Sequence, residues 1–103
     1  MDRDQLIDSL KGFVDACAKA GRPIADICLE DSYGGSYILQ VKAKWMDDLA
    51  CYPILEFLTN KLFETTDEAI RSNIFYIKVL DMDDKFHCFG EVEGAKTSQA
   101  TIA

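Results

Sequence analysis

The sequence predicts an α+β protein: a two-layer sandwich in which helices cover one face of an antiparallel sheet built from two hairpins. Three observations predict it. Apolar residues recur at helical spacing in two long stretches and alternate with period two in four short ones. The alternating stretches come in pairs, each pair joined by a short run of turn-forming residues. The order along the chain is α-β-β-α-(α)-β-β, which is the pattern of helices segregated to one face of a hairpin sheet.

The first helix rests on Leu6, Ile7, Leu10, Phe13, Val14 and Cys17, which form one stripe at 3.6 residues per turn. Asp2 and Gln5 stand at capping-box spacing before it, and Gly21 with Pro23 ends it. "PIADICLE" then places Ala25, Ile27 and Leu29 on one face of a strand. "SYILQVKAKW" places Tyr37, Leu39, Val41, Ala43 and Trp45 on one face of the next. The connector "DSYGGS" supplies a turn through its two glycines. Residues facing each other in a hairpin share a sheet face, so Leu29 is expected opposite Leu39 and Asp26 opposite Lys42.

The second helical region is "MDDLACYPILEFLTNKLFE", with Asp47 or Asp48 as cap and a start or kink near Pro53. A short extra turn follows in "TTDEAIRSN", where Thr65 and Glu68 have capping-box spacing. "NIFYIKVLD" and "KFHCFGEVE" form the second hairpin around "MDD". Strict alternation puts Phe75, Ile77 and Val79 toward the helices, with Ile74, Tyr76, Lys78 and Leu80 on the other face. In the last strand it puts Phe86, Cys88, Gly90 and Val92 opposite His87, Phe89, Glu91 and Glu93. Residues 1–93 are expected to form one domain, and 94–103 a mobile polar tail.

The composition narrows function without naming it. Of 103 residues, 18 are acidic and 11 basic, for a net charge of −7. That balance opposes nucleic-acid binding and leaves a basic protein as a possible partner. The N-terminus carries no apolar signal region, and no apolar run approaches the ~20 residues of a membrane span. A cytoplasmic location is expected, with Cys17, Cys28, Cys51 and Cys88 reduced, since they show no C-x-x-C spacing.

No catalytic, cofactor-binding or metal-ligating set emerges from spacing. His87, the single histidine, precedes Cys88, but neighbours on a regular strand point to opposite faces and could not act together. By parity, Cys28 is the strand cysteine that would share the face of His87. Asp81, Asp83 and Asp84 fit a turn better than a cation loop. "SYGGSY" lacks the lysine and the strand–loop–helix context of a phosphate loop.

The outer sheet face is the anomaly. Ile24, Cys28, Ile38, Ile74, Tyr76, Leu80 and Phe89 would lie there among Asp26, Lys42, Lys44, Lys78 and Glu91. A solvated face carries fewer large apolar groups, whereas an apolar centre with a charged surround is the anatomy of an interface. Ile24, Ile38, Tyr76, Leu80 and Phe89 are therefore the interface candidates. The second helical region or the tail would be an intramolecular cover. In architecture and charge, though in no motif, the chain resembles small acidic chaperones, immunity proteins and products of mobile gene cassettes. The expected function is a non-enzymatic, homodimeric interaction module that binds or neutralises a protein partner. The alternative is a small-ligand-binding protein or enzyme with a pocket near the sheet, using Cys28, His87 and the Asp81–Asp84 cluster.

Overall fold

Both hairpins and both long helices form where the periodicity requires them. The computed structural model describes residues 3–31 and 36–91. They comprise α1 (Arg3–Lys19), β1 (Asp26–Asp31), β2 (Tyr37–Lys42), a 3-10 turn (Lys44–Asp48), α2 (Cys51–Thr65), the single-turn α3 (Glu68–Arg71), β3 (Ile74–Leu80) and β4 (Phe86–Glu91). The expected Asp2 cap, the glycines of the first turn, Val92, Glu93 and the tail lie outside the described residues.

The α+β class holds, with one correction to the sheet. The strands lie in the order β1-β2-β3-β4, and both hairpins are antiparallel. The hairpins join through β2 and β3, which run parallel, so the sheet is mixed. The cause is the connection between them: α2 carries the chain back across the helical layer before β3 begins, and such crossovers join parallel strands.

In α1, Leu6, Leu10, Phe13 and Cys17 are buried. Its end is a left-handed glycine cap. Gly21 has φ 83°, its N–H donates to Ala18, and the N–H of Arg22 donates to Cys17. The first hairpin has the expected register, Leu29 opposite Leu39 and Asp26 opposite Lys42. β2 stops at Lys42, short of Trp45. Trp45 sits in the 3-10 turn, donates its indole N–H to the carbonyl of Pro23 at 3.0 Å and meets Phe57 edge-on. Arg22 stacks over both rings.

α2 begins at Cys51, so Pro53 occupies its first turn, where a missing N–H breaks no helical bond. Its cap is Ala50, with no side-chain bond. Asp47 instead accepts the N–H of Met82, and α3 is capped by Asp67 in place of Thr65, which belongs to α2. The core joins Phe13, Ile54, Leu58 and Leu62 of the helices to Leu39, Val41, Ile77 and Val79 of the sheet. Leu55 of α2 packs onto Gly90 of β4, and Arg3 of α1 reaches the carbonyl of Leu29 on β1. Both long helices thus cover the same face, and α2 is not a cover for the other one.

Two irregularities break the expected alternation. Tyr37 pairs with Ile74, but Ile38 pairs with Tyr76, leaving Phe75 as an extra residue. Ile74 therefore turns into the core, where it is fully buried, and not onto the outer face. In β4, Phe86 pairs with Leu80 and Cys88 with Val79, leaving His87 as the extra residue. Phe86 moves to the outer face, and His87 moves toward the helices.

Candidate functional site

Two places hold side chains that the core does not explain. The first is the outer face of the sheet. Phe86 and Phe89 meet with ring centroids 5.5 Å apart, Phe89 and Tyr76 at 5.2 Å, and Tyr76 and Phe75 at 5.3 Å. Phe86 is 55% exposed and Phe89 41%. Ile38 and Leu80 lie beside this aromatic row by their strand pairing with Tyr76 and Lys42. Four of the five expected interface residues, Ile38, Tyr76, Leu80 and Phe89, share this face. Ile24 does not: it precedes β1, outside the strand's alternation, and packs against the core. Phe86 belongs to the row and was not expected there.

Several polar groups on the same face are paired. Gln40 donates to Glu30, the Cys28 thiol lies 3.6 Å from the Gln40 carbonyl oxygen, and Lys42 donates to Asp84. The hydrogen bond to Asp84 raises the pKa of Lys42, desolvation works against it, and the charges of Asp84, Asp26 and Asp81 add to the rise.

The second place is at the other side of β4. One ligand atom each from Cys51, His87 and Cys88 lies within 4.8 Å of the others. Three features of the fold bring them together. The α2 N-terminus supplies Cys51, whose thiol donates to the carbonyl of His87 at 3.4 Å. The β4 bulge turns His87 to the side occupied by Cys88, which corrects the expectation that these neighbours cannot meet. The carbonyl of Leu49 lies 3.2 Å from His87 Nε2. A carbonyl oxygen only accepts, so Nε2 carries the proton and the lone pair remains on Nδ1. Burial, then the hydrogen bond and charge of Cys51, push the Cys88 thiol up to about 12.

The remaining candidates separate. Cys28 lies on one edge strand and His87 on the other, three strand spacings or roughly 14 Å apart. Asp81 accepts the N–H groups of Asp83 and Lys85, and so closes the second hairpin turn as the composition implies. A groove of about 450 Å³ runs between α1 and β1, lined by Ile7, Leu10, Val14, Ile27 and Leu29 together with Arg3, Lys11 and the candidate Cys28. Among the described residues, no helix is long and apolar enough to cross a membrane. No protein-family model, curated protein or solved structure matches this chain.

Proposed function

We propose that the protein is a non-enzymatic interaction module that self-associates through its outer sheet face. The observation that carries this reading is the aromatic row Phe75–Tyr76–Phe89–Phe86, in which Phe86 and Phe89 are exposed. Exposed aromatics gathered on one face, with charged residues of both signs around them, fit an interface centre better than a solvated surface. Lys42 and Lys78 stand on this face with Asp26 and Glu30, a surround of both signs. The exposed carboxylates of Asp8 and Asp15 belong to α1, on the far layer, where sheet-to-sheet contact leaves them apart.

The face is small. Four strands of six or seven residues span roughly 20 by 19 Å, or about 400 Å² in flat projection. A stable interface uses about 800 Å² per partner. The dimer is accordingly expected to be weak. The four free thiols fit a reducing compartment such as the cytoplasm.

Light scattering across a concentration series tests the reading. Wild-type protein should move from monomer to dimer, and Tyr76→Glu or Phe89→Glu should remain monomeric with an unchanged circular dichroism spectrum. Salt separates self-association from capture of a basic partner. Two copies of charge −7 associate more tightly as salt screens their repulsion, whereas an acid–base pair weakens. A wild type still monomeric at about 500 μM overturns self-association.

A further inference from the structure

We propose that Cys51, His87 and Cys88 form a binding site for a thiophilic d¹⁰ metal ion, with Zn²⁺ as the divalent ion it fits, leaving the fourth tetrahedral position open to water or an added donor. The donor set is two sulfurs and one imidazole nitrogen, the set that selects zinc over magnesium and calcium.

The geometry is close to what the ion requires. Zn–S bonds of ~2.3 Å and Zn–N bonds of ~2.0 Å in a tetrahedron set the ligand atoms roughly 3.5–3.8 Å apart. The three atoms here lie within 4.8 Å of one another, so closure needs movements of about 1 Å, within the range of side-chain rotation.

Two independent features prepare the site. The first is the orientation of His87. Its Nε2–H donates to the Leu49 carbonyl, the backbone contact that metal-bound histidines use to fix the ring. That bond leaves Nδ1 as the coordinating nitrogen. The second is the bulge. A regular β4 would set His87 and Cys88 on opposite faces, and the extra residue places both beside the α2 N-terminus. Ligands come from two segments 36 residues apart in sequence, so the ion would tie the second hairpin to the head of α2.

Coordination replaces the Sγ–H bonds of Cys51 and Cys88 with Sγ–metal bonds, and both protons pass to solvent. No redox change occurs.

The test uses the full chain, stripped of metal under reducing conditions. Zn²⁺ is titrated in competition with a chromophoric chelator, and Co²⁺ serves as the spectroscopic probe. One equivalent of metal should bind, and Co²⁺ should show the strong ligand-field absorption of a tetrahedral site with a sulfur-to-cobalt charge-transfer band. Cys51→Ala and His87→Gln should each weaken Zn²⁺ binding at least tenfold, while Cys28→Ser leaves it unchanged. Circular dichroism of both variants without metal shows whether they fold. If Cys51→Ala disturbs folding, His87→Gln carries the test alone, because His87 is half-buried on an edge strand. Absence of stoichiometric binding by the folded wild type overturns the proposal, and so does binding that survives in the folded His87→Gln variant or disappears in Cys28→Ser.

Discussion

Leu55 sits directly over Gly90: a Cβ added at Gly90 would lie 3.0 Å from Leu55 Cδ1. This is where α2 meets the last strand, and the missing side chain sets how closely they approach. Gly90→Ala gains strand propensity but drives Leu55 off its rotamer, at about 1 kcal/mol of net destabilisation. Leu55→Val with Gly90→Ala should recover part of that loss. Urea unfolding of the two single variants and the double variant measures the coupling. Additive effects would mean that the two side chains do not compete for space.

Asp84 should show a backbone cost and a charge contribution that can be separated. Its φ is 67°, in the left-handed region, and its carboxylate accepts from Lys42. Asp84→Asn keeps a residue that tolerates this conformation and removes the charge. Asp84→Gly removes both the charge and the steric cost, so it should be about 0.5 kcal/mol more stable than Asp84→Asn. Both variants should lower the pKa of Lys42 toward its ordinary value, as an NMR titration would show.

The buried thiols should make the fold sensitive to alkali. Burial raises Cys17 to about 11, and Cys88 is raised to about 12. Well below pH 9, the ordinary thiol value, both thiols are protonated in folded and unfolded chains alike, and stability is unaffected. Above pH 9 the unfolded chain releases protons that the folded one retains. Stability therefore falls until the folded thiols ionise, and the raised Lys42 contributes in the same direction at still higher pH. Chemical denaturation between pH 8 and pH 11 should show the decline, and Cys17→Ala should reduce its slope. Alkylation at pH 8 should modify exposed Cys28 first, with Cys17 and Cys88 reacting only after denaturation.

Asp67→Ala should cost about 1 kcal/mol, the usual value of a helix cap. Its carboxylate accepts the N–H of Ile70 at 3.0 Å, and Ile70 is a buried contact of the core. Thr65→Ala should cost less, since its hydroxyl bonds back onto Lys61 within α2. Equal losses from thermal melts of the two variants would point to Thr65 as the true start signal.

Regular parts of the chain could be read from residue spacing. The stripe from Leu6 to Cys17 and the Leu29–Leu39 register follow from period and pairing alone, because no extra residue interrupts them. Irregular parts could not. Phe75 and His87 each add one residue to a strand, so Ile74 and Phe86, which precede the breaks, and His87 itself lie on the faces opposite to those that strict alternation assigns them. F-H-C-F carries the trace of this, since Phe86 and Phe89 are three apart and share a face only if the alternation breaks between them. The same break concealed the cluster of Cys51, His87 and Cys88, whose first member lies on another element. No spacing motif could link them, and only the docking of α2 against β4 does.

The parallel pairing of β2 with β3 bears on how the chain reaches this structure. Each hairpin closes a short loop and can form by itself on a microsecond timescale. The central seam cannot, because its strands are separated by the 3-10 turn, α2 and α3. Closing that long segment loses entropy before Val41 and Ile77 gain any burial together. The barrier to folding is therefore expected at the middle of the sheet. Truncating Ile77 should slow refolding, whereas truncating Ile27 on the edge strand should chiefly speed unfolding. A chain paused at that barrier would present the unpaired sides of β2 and β3, and at high concentration these could pair with another copy's hairpin before their own.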